Sequence, residues 1–510
     1  MSQRKTVEFL KKADPVYLLI LIILIFYRIL VLVVFNFRYT DGDQTVMWQG
    51  LRDFSQGIFH EPRFYGQGYN SMIESLLAMP LYWLGLPAYK ALPVITNLLA
   101  ILPYVVLSGG AFRKGMKMQA YLILSLSLFL APQYDLITSI PRGFVTGIFF
   151  ASLGAIAVFH PGDRRWFLVS GFLFAFGYAL NPNSLLISFP CLLYLLLVNL
   201  KRPGFYLLAG AGLLVGLIVH VLANYFYILN PAYDLHHLYP SVFSFRRWWS
   251  AFSNLDIHFN FLTPFFWKMG WLILPILTIL AGVLFYRKQW REVLVVLVSL
   301  GVLLVTLGYD RMYMATPSVF FSYARMYLAV PVLLAIFITF LPVSTGRTKY
   351  LFLLLVAGFA LQKTFLLEKV IQKDMSSYEK MVNVCSIPEL QRECRKRMWV
   401  ADKYHLSLIV ESWNRYYTLG TYGCPFCEPR FPNTLYPYYE RRTWRMMEDD
   451  RRVYPNLMIV GIAENTDSLF RKSAALKVEV FRLGDYYIIR NNPYPAIPLL
   501  RSLGFTIRPF

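Results

Sequence analysis

Charge is what this chain has least of. Asp, Glu, Lys and Arg make up only 15% of its 510 residues, carboxylates number 29, and there are seven histidines and five cysteines. With 57% hydrophobic residues and a mean hydropathy of +0.46, so little charge excludes a soluble protein of this length and implies a polytopic membrane protein. The formal net charge of +21 does not point to nucleic acid. No basic face carries interleaved base-reading residues, and Lys and Arg fall in short clusters between apolar runs, where orientation signals lie. The first apolar run lacks a small-residue cleavage site and is longer than a signal peptide's core. Preceded by Arg4, Lys5, Lys11 and Lys12, it reads as an uncleaved signal anchor.

What is present is apolar periodicity on a large scale. Candidate spans are 16–36, 90–112, 118–133, 143–160, 166–181, 183–200, 204–229, 264–286, 291–308, 324–342 and 349–367. Several are shorter than a full crossing needs, so tilted, half-buried or interrupted helices are expected among the eleven. Taken in alternation, one set of loops holds Arg113/Lys114/Lys117, Arg164/Arg165, Lys201/Arg202, Arg287/Lys288/Arg291 and Arg347/Lys349, together with the N-terminal tail. The opposite short loops carry Arg142, Arg311 and no basic residue at 181–183. This bias places the N-terminus in the cytoplasm and the C-terminus outside the cytoplasmic membrane.

The expected fold class is therefore an α-helical polytopic membrane protein with about 11 transmembrane helices, residues 1–367, and a small C-terminal extracytoplasmic α/β domain, residues 368–510. That last segment has no run long enough to cross. Strand-like runs occur in it at 407–411, 456–461, 478–483 and 486–490. It holds Cys385, Cys394, Cys424 and Cys427, which outside the membrane read as two disulfides. Cys424-Pro425-Phe426-Cys427 is also the spacing of a redox or zinc half-site, and it lacks a thioredoxin-like context. Cys191 lies in a span and reads as packing.

Two outward loops are long, 37–89 and 230–263. In the second, 244–252 contains Arg246-Arg247-Trp248-Trp249 and reads as interfacial, with indoles at headgroup depth. In the first, the apolar stretch 71–86 is interrupted by Pro80 and suits a helix lying in the interface. The same loop opens on Tyr39-Thr40-Asp41-Gly42-Asp43-Gln44. The span before it, 16–36, is roughly 31 Å of helix at 1.5 Å per residue, so both carboxylates leave the bilayer at its surface. Further on comes Phe64-Tyr65-Gly66-Gln67-Gly68-Tyr69-Asn70-Ser71-Met72-Ile73-Glu74.

This order resembles the GT-C fold membrane glycosyltransferases that use polyprenyl-phosphate sugars. The nearer branch is that of the bacterial protein mannosyltransferase relatives and the aminoarabinose and galacturonic acid transferases of lipid A. There an Asp-Glu pair follows the first helix, and a Tyr-Gly-Gln-x-Tyr run with a later Glu ends the loop. Here the pair is Asp43-Gln44; Gln44 departs from the pattern, and Asp41 is the carboxylate that could take the missing part. Ile140-Pro141-Arg142-Gly143-Phe144 resembles the family's Pro-Arg-Gly-aromatic turn, and Arg325-Met326-Tyr327-Leu328-Ala329-Val330-Pro331 its Arg-Tyr-Leu-x-x-x-Pro helix. The likeness covers roughly residues 15–335.

What the resemblance implies is inverting transfer of a sugar from a polyprenyl-monophosphate carrier to a lipid, glycan or protein acceptor of the envelope, at the outer face. Such a reaction needs a carboxylate as general base, Asp43 first and Asp41 second. Asp-Gly-Asp is equally ordinary turn and capping chemistry. Glu74, with Tyr65, Gln67 and Tyr69, is expected to bind substrate, against a solvated helix face for Glu74. Arg142 and Arg325 offer forked donors for the leaving phosphate, against simple reach to lipid headgroups. Expected partners are the lipid-linked donor and membrane lipids, and no nucleic acid. No cofactor or metal is expected: His236-His237 has no third ligand nearby, although Asp41, Asp43 and Glu74 could in principle hold a divalent ion. Arg28 lies within the first span, a costly place for a charge, with no role readable. A transporter or flippase for lipid-linked glycans and a non-catalytic envelope scaffold are the rival classes.

Overall fold

The computed structural model describes residues 14–65, 67–233, 242–309, 318–343, 348–378, 384–411, 416, 418–426, 430–436, 442–461 and 466–505. Its contacts divide the chain into two compact units. One comprises Met1–Val34, Thr96–Leu222 and Tyr239–Asp374; the other comprises Phe35–Ile95, Ala223–Leu238 and Met375–Phe510.

The first unit is helical. Its opening helix, Pro15–Val31, starts where the Asp14 side chain accepts from the amide of Val16 and Pro15 occupies the first turn, where a missing N–H costs nothing. A π-helical turn prolongs it to Asn36. Among the described residues, four helices are long and apolar enough to cross a membrane: Pro15–Asn36, Ala88–Arg113, Pro203–Leu229 and Thr348–Ser376. A fifth crossing exists if Pro132–Ser139 and Phe144–Phe159, bent by 99°, form one broken span. The remaining expected spans also coincide with helices, but short ones. Lys117–Phe129 has 13 residues, about 20 Å of rise, against about 30 Å of bilayer core. By length and composition, the described helices therefore account for four or five full crossings of the eleven expected.

Glycines set how closely these helices pack. Gly171 of helix Arg164–Leu180 lies against the backbone of Ala209, while Gly212 and Gly216 lie against the carbonyls of Leu168 and Phe172. On another side of the same helix, Gly177 and Gly147 face one another's helices, each about 2.8–2.9 Å from a carbonyl if a Cβ is added. Small residues at both contacts let the backbones approach, the usual device where lipid supplies no hydrophobic drive between helices.

Arg28, unassigned from sequence, acquires a partner here. Its guanidinium donates to the Asp135 carboxylate at 3.0 Å and to Thr138 Oγ1 at 3.2 Å. Lys363, from the helix Thr348–Tyr378, also pairs with Asp135 and donates to the Ser127 carbonyl at 2.7 Å. All three charged side chains are at most 4% exposed. Two cations thus share one carboxylate inside the bundle, and the Tyr27 ring lies 4.8 Å from the ammonium of Lys363.

The second unit joins the first long loop, 37–89, to the C-terminal segment. The strands are β1 (Tyr39–Asp41), β2 (Arg63–Phe64), β3 (Gln67–Ser71) and β4 (Val384–Ser386). Then come β5 (Leu408–Glu411), β6 (Asn433–Leu435), β7 (Leu457–Val460), β8 (Glu479–Leu483) and β9 (Tyr486–Arg490). β1 pairs antiparallel with β4, and β2 with β3. The other five form one sheet in the order β6-β5-β7-β9-β8. β5 runs parallel to β6 and β7, and β9 antiparallel to β7 and β8. The β8–β9 hairpin turns at Gly484-Asp485, where Gly484 supplies the positive φ that a two-residue turn needs.

β5 and β7 read Leu-Ile-Val-Glu and Leu-Met-Ile-Val, apolar on both sides, and both faces are buried as such runs require. Leu408, Val410, Leu457 and Ile459 pack on one side; Ile409, Met458 and Val460 pack on the other with Val400 and Ala401 of helix Ile387–Tyr404. That helix opens on a capping box between Ser386 and Glu389. Arg397 ties it to the sheet, buried between Glu393 and Glu411. The four strands expected in this segment are present; β6, three residues long, has no alternation to read.

Removing the shared carboxylate should unfold the first unit sooner than any surface change. Asp135→Asn leaves two cations buried against one neutral amide, a loss of about 3–5 kcal/mol. The expected result is a sharply lower melting temperature in detergent and less protein in membranes. Lys363→Met in the same chain should restore part of the loss. Equal stability of wild type and Asp135→Asn would show that the charges are not needed.

Candidate functional site

The two carboxylates of the acidic turn have different jobs. Asp41 ends β1 and is the N-cap of helix Gly42–Ser55: its side chain accepts from the Gln44 amide at 3.0 Å, and the residue is fully buried. Pairing of Asp41 with Val384 holds that cap, and the Ile387 amide donates to the Arg38 carbonyl at 2.7 Å beside it. Asp43 lies one residue inside the helix, in its first turn, and is only half-buried. Gln44, which stands where the resemblance calls for Glu, is buried.

Glu74 is fully buried in the first turn of helix Ile73–Trp83, so a solvated helix face does not describe it. The helix packs closely on Gly42–Ser55, with Ser75 Oγ donating to the Met47 carbonyl at 2.9 Å and Gly50 against Met72. Of the Tyr-Gly-Gln-x-Tyr run, Gln67 and Tyr69 belong to β3, and Gly66 lies outside the described residues. Tyr65 precedes them with a left-handed φ of 28°, a strained conformation for a bulky residue. What holds it is a group the motif reading missed. The Tyr65 hydroxyl donates to Asp53 Oδ2 at 2.5 Å, while Gln49 donates to Asp53 Oδ1 at 2.6 Å.

His60 Nε2 lies 3.6 Å from the same carboxylate, and its ring stacks flat on Trp444 at 3.5 Å. Burial raises the Asp53 carboxyl above its ordinary range, against the lowering pull of Tyr65, His60, Gln49 and Arg442. Beside this cluster, Glu61 accepts from the Tyr227 hydroxyl at 2.8 Å, and Arg63 donates to Asn224 Oδ1 at 2.8 Å. Asp53 is the fourth residue after Gln49, one helical turn on, which is the only trace of the pair in the sequence.

The two arginines expected at a phosphate lie in the other unit and are brought together there. Pro141 and Gly143, the latter at φ 78°, break the chain between Pro132–Ser139 and Phe144–Phe159 and leave Arg142 at the bend. Arg142 is 3% exposed, donates to the Phe320 carbonyl, and lies 4.7 Å over the Phe321 ring. Arg325, in the turn Tyr323–Tyr327, lies 6.0 Å from that same ring. A buried Arg142 does not reach for lipid headgroups.

Other expectations fall differently. His236 and His237 lie outside the described residues, as does Cys427. Cys385, Cys394 and Cys424 are buried in one apolar cluster with Trp48, Leu51 and Tyr65 of the first loop. Among the described residues no three His, Cys, Asp or Glu side chains gather as a metal site. The stretch 71–86 is helical through Ile73–Trp83, and 245–253 is a helix with Phe245 and Trp249 well exposed.

No family model matches this chain, and no curated protein matches it. Solved structures do. The crystal structure of ArnT from Cupriavidus metallidurans in the apo state aligns at 12% identity and a TM-score of 0.53, over 92% of this chain and 97% of that one. The structure of ArnT from the same organism bound to undecaprenyl phosphate aligns at 13% identity and the same TM-score, over 93% and 98%. The chain therefore shares its fold with ArnT over nearly its whole length, and the resemblance to the GT-C transferases holds at the level of fold.

The His60 cluster makes a pH prediction. Burial is the largest cause holding the His60 ring below the ordinary imidazole range, with Asp53 pulling upward. As pH falls through about 6.5 the unfolded ring takes its proton first, so folded-state stability is complete above that value and is lost toward the lower folded one. Melting curves in detergent should move to lower temperature between pH 7.5 and 5.5, and less so in His60→Gln. An equal shift in the variant would clear His60 of the effect.

Proposed function

We propose that the protein transfers a sugar from a polyprenyl-monophosphate carrier to an acceptor of the cell envelope, with inversion, at the outer face of the cytoplasmic membrane. The observation that carries this reading is the division of the acidic turn: Asp41 is consumed as a helix cap, and Asp43 is left half-buried in the first turn of Gly42–Ser55. The fold shared with ArnT, one of whose structures is bound to undecaprenyl phosphate, supports a lipid-phosphate donor. Asp43 takes the proton of the acceptor nucleophile as it attacks the anomeric carbon, and the bond to the carrier phosphate breaks with its electron pair leaving on the phosphate. Arg142 and Arg325 are assigned to that departing phosphate. A guanidinium keeps its charge and presents paired donors that suit phosphate oxygens. Tyr65, Gln67, Tyr69 and Glu74 are assigned to sugar and acceptor hydroxyls, and no metal is needed for these steps. The alternation of basic loops supports a cytoplasmic N-terminus and an outer C-terminal segment.

The test is transfer of radiolabelled sugars from undecaprenyl phosphate in purified membranes, with protein level followed by blot. Asp43→Asn should keep its level and lose about 10²-fold or more in transfer, the scale of a lost general base. Asp41→Asn keeps a capping side chain and should lose less. Arg142→Lys should lose nearly as much as Arg142→Ala, because a point charge does not replace forked contacts. Full transfer in Asp43→Asn and Asp41→Asn alike would overturn the assignment and favour a transporter or scaffold.

A further inference from the structure

Helix Ile387–Tyr404 buries one face and leaves the other to solvent. Ile387, Leu390, Cys394, Arg397, Val400 and Ala401 are buried, and the charge of Arg397 is matched by Glu393 and Glu411. The opposite face carries Arg392, Arg395, Lys396, Trp399 and Lys403, all exposed. At about 100° per residue, Arg392, Lys396, Trp399 and Lys403 fall within about 60° of arc, with Arg395 beside them. None of these four cations forms an ion pair among the described residues. Lys396 lies 4.9 Å over the Tyr486 ring and Lys403 5.1 Å over Trp399, contacts that leave both charges in place. Of the helix's carboxylates, Glu389 is tied into the capping box and Glu393 is bonded to Arg397 and Tyr486, while Asp402 is exposed at the edge of the stripe. Like charges one turn apart, as Arg392 and Lys396 are, weaken a helix, so the stripe does not serve the helix itself.

Where this helix begins says what the stripe meets. Helix Pro15–Asn36 has 22 residues, about 33 Å of rise against about 30 Å of bilayer core, so its last turn reaches a bilayer surface. Just beyond it, Tyr39 stands opposite Ser386 in the β1–β4 ladder, and the Ile387 amide donates to the Arg38 carbonyl at 2.7 Å. Ser386 is the N-cap of the basic helix. That helix therefore starts where the chain leaves the lipid, and Arg38, exposed at the same point, adds a further cation. Lysine and arginine at this level meet headgroup phosphates, and an exposed indole is at home among them.

We propose that the exposed face of Ile387–Tyr404 is a docking surface for anionic lipid headgroups, those with net negative charge such as phosphatidylglycerol. Arg392, Arg395, Lys396 and Lys403 take the headgroup phosphates, and the Trp399 ring lies among them. Held in this way, the helix fixes the height of the β1–β4 ladder at the bilayer surface, and with it the start of the acidic turn at Asp41. The surface is independent of the reaction performed at that turn.

The experiment is acetylation of lysines in the purified full-length protein, held in lipid nanodiscs and read residue by residue by peptide mass spectrometry. One set of discs is phosphatidylcholine; the other is an equal mixture of phosphatidylcholine and phosphatidylglycerol. Lys396 and Lys403 should react about fivefold more slowly in the anionic discs, the scale of one cation held at a charged surface. Lys472 and Lys477, exposed in the same unit, should react at nearly the same rate in both. Arg392→Gln combined with Arg395→Gln leaves the buried face intact and should return the Lys396 and Lys403 rates toward those in neutral discs. Arg471→Gln combined with Arg482→Gln, the same loss of charge at other exposed positions of the unit, should not. A soluble acidic polysaccharide, polygalacturonate, added to the neutral discs tests the rival occupant. Slowing by polygalacturonate as great as by the anionic lipid would assign the face to a glycan and overturn the proposal. Equal rates in the two kinds of disc, equal slowing of all four lysines, or slowing that survives the loss of Arg392 and Arg395 would overturn it as well.

Discussion

A carboxylate inside an apolar helix bundle must be matched by positive charge, and the first unit is arranged to do so at Asp135. Its partners come from the opening helix and from the helix Thr348–Tyr378, far apart in sequence. An unpaired ion at such a position costs several kcal/mol, so the three side chains are buried together or not at all. That condition fixes how three helices approach, and glycine-to-backbone contacts at Gly171, Gly177 and Gly212 fix the spacing of others. Specificity of this sort suits a bundle whose individual helices are short and broken. Few of them would choose a position in the membrane by length alone.

In the second unit the organising contact is a three-residue ladder. β1 is the turn that carries Asp41, and β4 is the entry to the helix Ile387–Tyr404. The ladder therefore sets the start of two helices at once, the one capped by Asp41 and the one capped by Ser386. The apolar cluster beneath it mixes first-loop residues such as Trp48 and Tyr65 with Cys385, Leu390 and Cys424. A segment without any acid-base signature of its own thus builds the floor under the carboxylates.

Much of this architecture is legible in the residues, and the illegible parts share a cause. Apolar runs announce helices, and alternating or continuous β-branched runs announce strands, because both are local periodicities. Helix length is also local, but whether a 13-residue helix crosses is not. Arg28 is conspicuous in sequence, and its meaning is not, since Asp135 and Lys363 are 107 and 335 residues away. The same holds for Asp53. Nothing in Gly-Leu-Arg-Asp-Phe marks it, yet it holds Tyr65 in a strained backbone that the Tyr-Gly-Gln motif alone leaves unexplained. The pairing of β1 with β4 spans more than 340 residues and has no signature at all in a three-residue strand.

The acidic turn shows how geometry narrows a motif. Asp-Gly-Asp offers two carboxylates, and either could be a base or a cap. A cap must sit just before the first helical residue with its side chain turned back to the amides, and Asp41 does that at 3.0 Å from the Gln44 amide. A residue so committed is buried and its carboxylate is engaged with the backbone, which is poor preparation for taking a proton from a substrate. Asp43, two residues on, is inside the helix, in its first turn. It is also the more exposed of the two. Shared fold at 12–13% identity says nothing about which residue reacts. The assignment rests on the cap: Asp41 is the buried N-cap of the helix, and Asp43, in its first turn, is the more exposed carboxylate of the pair.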